Sequence, residues 1–80
     1  MGGVVGFDVS TRAARRALDE RVAAALSRDQ WVDRTSLAAD MRCADARGRR
    51  LVSASLKRGV RDGWAEVQRR GAWTRYRRCT

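Results

Sequence analysis

Histidine is absent from this 80-residue chain, and cysteine occurs only twice, at Cys43 and Cys79. That inventory cannot supply a four-ligand zinc site or a disulfide framework, and two reduced thiols are expected. It also argues against catalysis. No imidazole is available as a base, no carboxylates pair at a useful spacing, and neither thiol has an evident base partner. No metal, no cofactor and no enzymatic activity is therefore expected. Long apolar runs are missing as well: none approaches the roughly 18 residues that suggest a membrane span. No signal-peptide pattern occurs either, so the expected compartment is the cytoplasm.

Acidic residues are outnumbered, 9 against 18 cations, which leaves a net charge of +9. Lysine is nearly absent, since 17 of those cations are Arg and only Lys57 is Lys. Such a bias suits planar, bidentate contacts to phosphate or guanine. It equally suits a GC-rich genome, and usage alone does not decide between them. The excess charge itself points to nucleic acid, because neutralising phosphates releases condensed counterions whatever the base sequence. Anionic lipid and an acidic protein surface are the alternatives. A chain of this length has room for one domain, and its core must use most of the apolar side chains, so little remains to line a deep pocket.

Residues 1–9 are glycine-rich and without a clear period, which reads as a flexible arm or a short edge strand, with Phe7 and Val9 able to tack its end to the domain of residues 10–80. Ser10 or Thr11 can cap a first helix over about 11–29, in which Ala14, Leu18, Val22, Ala25 and Leu26 share a face. Arg15/Asp19 and Arg16/Glu20 are spaced there as i,i+4 ion pairs. Gln30-Trp31-Val32 is short and β-prone, with Trp31 expected in the core. Asp33 offers a cap for a short second helix through Leu37, Ala38 and Met41, and Asp45 a cap for a third.

On a helical wheel of about 100° per residue, Gly48, Val52, Ser55, Leu56, Gly59 and Val60 form the apolar side of that third helix. Arg47, Arg50, Ala54, Lys57, Arg58 and Arg61 fall opposite. A merely solvated face usually mixes signs, and this one has no acid before Asp62. Gly63 is placed to end the helix in the left-handed conformation. Ala65 and Val67 then alternate with Glu66 and Gln68, Arg69-Arg70-Gly71 makes a turn, and Ala72, Thr74 and Tyr76 alternate with Trp73, Arg75 and Arg77 on the return strand. Trp64, Trp73 and Tyr76 are expected to pack in the hairpin and core, with Trp73 the most exposed.

Helix, short strand, helix, turn, helix and two-stranded hairpin is an order that resembles the winged helix-turn-helix family. The run Val52-Ser-Ala-Ser-Leu56-Lys-Arg-Gly59-Val60-Arg-Asp-Gly63-Trp64-Ala65 is similar to the family's third helix and its exit into the wing, and Trp73-Thr-Arg-Tyr76-Arg-Arg-Cys79-Thr80 to its closing strand. The chain departs from the pattern at Gly59, where a large aliphatic residue is usual, and in the length of Leu37 to Leu56, which leaves Arg47 and Arg49 between helix and turn. The resemblance implies a mostly helical α+β fold of three helices with a C-terminal hairpin wing. It also implies a recognition helix over about 46–62 in the major groove and a wing over 64–78 along the backbone or minor groove. Arg47 and Arg50 are then candidates for guanine, Ser53 for a versatile hydrogen bond and Ala54 for a thymine methyl. Lys57, Arg58, Arg61, Arg69, Arg70 and Arg75 would meet phosphates, with Arg34 as an addition.

These readings lead to a sequence-preferring protein for double-stranded DNA, acting in the cytoplasm or nucleoid as a small bacterial transcriptional regulator or as a phage or plasmid accessory factor. A homodimer on paired half-sites is an open option. The alternative from another class is a winged-helix adaptor whose arginines dock on an acidic protein partner. Against it, the outward face of the third helix lacks the large aromatics that protein hot spots favour. RNA is a weaker option still, because the deep, narrow major groove of an A-form duplex does not admit a helix.

Overall fold

Thr11 opens the first helix: its side-chain hydroxyl accepts from the Ala14 amide at 3.1 Å, taking up one of the amides that a helix start leaves without a partner. A computed structural model of the chain describes residues 11–79. The arm of residues 1–9, with Phe7, Val9 and the alternative cap Ser10, lies outside the described residues. Three helices, α1 (Arg12–Ala25), α2 (Arg34–Asp40) and α3 (Ala46–Asp62), and three strands, β1 (Val32–Asp33), β2 (Ala65–Arg70) and β3 (Trp73–Arg78), make up an α+β domain.

Helix α1 is shorter than its periodicity suggests. Leu26 still donates to the Val22 carbonyl at 3.0 Å but has extended backbone. The Ser27 hydroxyl then accepts from the amides of Asp29 and Gln30, a local alternative to further helical bonding. The Ser27 carbonyl is taken by the Arg78 amide at 2.8 Å, so the end of β3 holds the chain where α1 would otherwise continue. Ala25, expected on the buried face, is exposed as a result, whereas Leu18, Val22 and Leu26 are buried.

Helix α3 is bounded as its sequence suggests. The Asp45 carboxylate accepts from the Gly48 amide at 2.7 Å, and Gly63 ends the helix at φ 94°, a region that costs a residue with Cβ free energy and glycine very little. Its amide and that of Trp64 both donate to the Gly59 carbonyl. Gly48, Val52, Ser55, Leu56 and Gly59 are buried. Val60, expected beside them, is 38% exposed, because it lies at the margin of the stripe where α1 and the sheet no longer cover it.

The sheet is antiparallel in the order β1-β3-β2, so the return strand of the hairpin is central. The hairpin loop is Gly71-Ala72, with Arg70 opposite Trp73 as the closing pair. Arg69 and Arg70, expected in the turn, are therefore the last residues of β2. Positive φ at Gly71 (54°) and not at Ala72 is the pattern of a two-residue loop with glycine first, whose twist suits the flanking strands. That geometry needs only one glycine and leaves both arginines available for strand pairing.

Alternation along the strands sorts the sheet into two faces. Ala65, Val67, Arg69, Thr74, Tyr76, Arg78 and Val32 share the face toward the helices, and Glu66, Gln68, Arg70, Trp73, Arg75, Arg77 and Asp33 the other, as the cross-strand pairs require. The core gathers Leu18, Val22 and Leu26 of α1, Leu37 and Ala38 of α2, Val52 and Leu56 of α3, and Ala65 of β2, with Val32, Met41, Leu51, Trp64 and Tyr76 packed against it. Each fully buried aliphatic side chain contributes about 1.5–3 kcal/mol relative to exposure. Trp31, expected in that core, is half-buried and lies instead against the Arg77 guanidinium, 4.5 Å from ring centroid to carbon. Strand β1 starts only at Val32, and Val32 takes the inward place opposite Tyr76. No helix among the described residues is long and apolar enough to cross a membrane.

Candidate nucleic-acid interface

Burying Gly48, Val52, Ser55, Leu56 and Gly59 turns the opposite side of α3 to solvent. Ala46, Arg49, Arg50, Ser53, Ala54 and Lys57 line a shallow concavity of about 520 Å³ on that side, closed at one edge by Arg34 at the start of α2. Arg34 also lines a second cleft, of about 390 Å³, which continues to Arg69, Trp73 and Thr74 of the hairpin. A cationic surface thus runs from α3 past the start of α2 to the hairpin, with Arg34 shared by both halves.

Pairing decides which cations remain available. Among the described residues the ion pairs are Arg58–Asp19, Arg61–Asp62 and Arg77–Glu66. None of them involves Arg34, Arg49, Arg50, Lys57 or Arg69. The polar contacts of the α3 arginines are local: Arg49 Nη1 donates to the Ala44 carbonyl at 3.0 Å, and Arg50 Nε lies 3.5 Å from the Ala46 carbonyl, at the outer limit of a hydrogen bond. Unneutralised guanidinium groups along one face produce the positive potential that attracts a polyanion.

Arg58 is different. Its Nε and Nη2 grip the Asp19 carboxylate of α1 in a bidentate pair, with the shortest contact 2.7 Å, and the buried Ser55 hydroxyl donates to the same carboxylate at 2.6 Å. Burial alone would raise the Asp19 pKa. Hydrogen bonds from Arg58 and Ser55, together with the charges of Arg58 and Arg61, outweigh it and hold the group below its ordinary value. The carboxylate that the i,i+4 spacing assigned to Arg15 is thereby tied to α3. Arg58 is a clasp between α1 and α3, turned away from Arg50 and Lys57. Arg61 is exposed, paired with its neighbour Asp62, and lines a separate groove between α1 and α3 where Asp19, Glu20 and Asp62 mix with Arg12 and Arg16.

The remaining sequence candidates divide by position. Arg50, Ser53, Ala54 and Lys57 lie together on the solvent side of α3. Arg47 is exposed in the first turn of the same helix but outside that concavity. Arg69 faces the α2 side of the sheet, Arg70 and Arg75 the other, and the Arg75 guanidinium stacks on Trp73 at 4.3 Å from the ring centroid. Arg47 and Arg49, which the sequence left between helix and turn, are both helical, and the Asp45 cap followed by an unbroken run to Asp62 is the signal that places them. Among the described residues no group of three or more His, Cys, Asp or Glu side chains is arranged to hold a metal, and both cysteines are free. Compared with protein-family models, with curated proteins and with solved structures, the chain gives no match in any of the three.

Proposed function

We propose that this protein is a winged helix-turn-helix binder of double-stranded DNA, with α3 in the major groove and the hairpin as its wing. The observation that carries the reading is the cationic surface shared by α3, Arg34 and Arg69, none of whose cations takes part in the ion pairs Arg58–Asp19, Arg61–Asp62 and Arg77–Glu66. A helix with small residues at Ser53 and Ala54 between Arg50 and Lys57 can approach base edges closely, and flanking guanidinium groups then reach phosphates on either side. Arg50 is the leading candidate for a guanine edge. Arg47, Arg49, Lys57, Arg34, Arg69, Arg70 and Arg75 supply backbone contacts. Arg58 is reassigned to structure because its guanidinium is committed to Asp19. The biological setting that fits is a small regulator or accessory factor acting by occupancy of its site.

The test is binding of purified protein to random duplex DNA, single-stranded DNA and duplex RNA across a salt series, followed by selection of preferred sites from the duplex pool. Duplex preference with an enriched motif is the expected result. Equal, weak and steeply salt-dependent binding to all three would overturn sequence reading and direct attention to an acidic protein partner.

A further inference from the structure

Strand β2 is the long free edge of the sheet. Among the described residues it pairs with β3 alone, in an unbroken register from Ala65 to Arg70, whereas β1 at the other edge is only 2 residues long. The closing pair of a two-residue hairpin, here Arg70 and Trp73, is hydrogen-bonded, so Arg70, Gln68 and Glu66 direct their backbone groups to β3. Val67 and Arg69 direct theirs outward. No backbone hydrogen bond from outside the hairpin reaches either of them among the described residues. Proline, lysine and bulges commonly protect such an edge, and β2 has none of the three.

The side chains decide how this edge can meet its own copy. Two β2 strands paired antiparallel about a two-fold axis have that axis normal to the sheet, so residues of one face stand opposite residues of the same face. Centring the pairing on Glu66 or on Arg69 sets like charges directly opposite, which is destabilising. Centring it on Val67 leaves Arg70 past the end of the facing strand, and a centre nearer either terminus forfeits overlap. Only Gln68 as the centre sets Glu66 of each copy opposite Arg70 of the other. Both groups can take that partner: Arg70 is in none of the ion pairs among the described residues. Arg77 reaches Glu66 through Oε2 alone, at 3.2 and 3.0 Å, which leaves Oε1.

We propose that two copies of this chain pair along β2, centred on Gln68, and join their sheets into one continuous antiparallel sheet. Val67 of each copy exchanges both backbone hydrogen bonds with Arg69 of the other, and the two Glu66–Arg70 pairs flank the axis on the face away from the helices. Both α3 helices then lie on the same side of the joined sheet. The inference goes beyond the duplex-binding reading and does not depend on it.

Sedimentation equilibrium of the full chain without DNA provides the test, at about 0.15 M salt, where the general repulsion between two chains of charge +9 is largely screened. The wild type is expected to dimerise as its concentration rises. Arg70→Glu and Glu66→Arg should each weaken the dimer on the order of tenfold or more, because each sets two like-charge pairs across the axis. An equimolar mixture of the two variants should recover it, since the mixed dimer sets an acid opposite a base at both places. Gln68→Cys keeps the register readable even where Glu66→Arg does not fold. Its Cα atoms would face each other across the axis at about 4.5 Å, within disulfide range, so mild oxidation should link it well above the background from Cys43 and Cys79. Val67→Cys, which faces Arg69, should not rise above that background. A wild type that stays monomeric to about 1 mM overturns the proposal. So does a dimer that Arg70→Glu leaves unchanged, a mixture of folded variants that does not recover association, or equal cross-linking by Gln68→Cys and Val67→Cys. Each of these results leaves the duplex-binding reading as it stands, because no DNA is present.

Discussion

The indole of Trp64 occupies the space above Gly59. A Cβ built on Gly59 would come within 2.8 Å of three carbons of that ring, closer than packed carbon atoms tolerate. Trp64 follows the Gly63 cap, so the chain reverses there and lays the side chain that precedes β2 back on the helix it has just left, beside a core that includes Ala65. The glycine that departs from the aliphatic residue usual in the winged-helix pattern is therefore no cavity. The aromatic ring supplies the missing apolar volume from five residues downstream.

Exchange of volume between those two positions is measurable. Gly59→Leu is expected to destabilise the protein by about 1–3 kcal/mol through overpacking, offset in part by a gain of up to about 1 kcal/mol in helix propensity. Trp64→Ala leaves a void and costs up to about 3–5 kcal/mol, less the share of the ring already exposed. Because each change relieves the other, the double variant should be more stable than the sum predicts, with a coupling of about 0.5–3 kcal/mol. Urea denaturation of the four proteins checks this, and strict additivity would mean that the two positions do not share the space.

Acid should release the α1–α3 clasp. Asp19 has a folded pKa below its ordinary 3.8 because the bonds from Arg58 and Ser55, with the nearby arginine charges, outweigh its burial. A depressed carboxylate stabilises the fold fully above the unfolded value, and this contribution is lost as pH falls through the folded one. Asp19→Asn is thus expected to be less stable than the wild type at neutral pH by about 1.5–3 kcal/mol, the range for hydrogen bonds to charged groups. The gap should narrow as pH drops below 3.8. Thermal melts across pH of both proteins test it, and a gap independent of pH would show that the lost interaction is not ionic.

Arg50 and Arg58 should separate reading from support. Replacing Arg50 with Ala is expected to cost about 1–3 kcal/mol on the preferred site and much less on random duplex, with an unchanged melting temperature. Replacing Arg58 with Ala should instead lower the melting temperature by leaving the Asp19 carboxylate with only the Ser55 hydroxyl as partner. Site-specific and nonspecific affinities measured at one salt concentration distinguish the cases. Equal losses on both DNAs would place Arg50 among the phosphate contacts.

The two arginines at the end of β2 should not be equivalent. Arg69 lines the cleft shared with Arg34, whereas Arg70 projects from the other face of the sheet. Arg69→Ala is expected to weaken binding to all duplexes alike and to shallow the salt slope by about one unit, as loss of one phosphate contact does. Arg70→Ala should change the slope less. The reverse order would mean that the hairpin meets DNA with its outer face.

Local features were legible where a single residue type determines them. Thr11, Asp45 and Gly63 stand where a hydroxyl, a carboxylate and a positive φ are needed, and both helix starts and the end of α3 follow from them. The hairpin pattern from Ala65 to Arg78 was equally readable, apart from its loop, because a two-residue turn and a longer one share the same glycine. Partners distant in sequence were not legible. The i,i+4 spacing of Arg15 and Asp19 is a true helical neighbourhood, yet Arg58, 39 residues away, takes the carboxylate. Trp31 lies before β1, which begins only at Val32, and its ring meets Arg77 instead of the core.

By itself the sequence determined the charge of the protein, the order of its helices and strands, and the side of α3 that must be buried. These follow from composition, from residue-specific backbone preference and from periodicity, all of which act within a few residues. Tertiary structure alone decided which arginines are spent and which are available. Ion pairing falls off over a few ångströms in space without regard to chain distance, so the packing of α1 on α3 neutralises Arg58. The meeting of α2 with the hairpin leaves Arg34 and Arg69 on the lining of one cleft, outside the ion pairs.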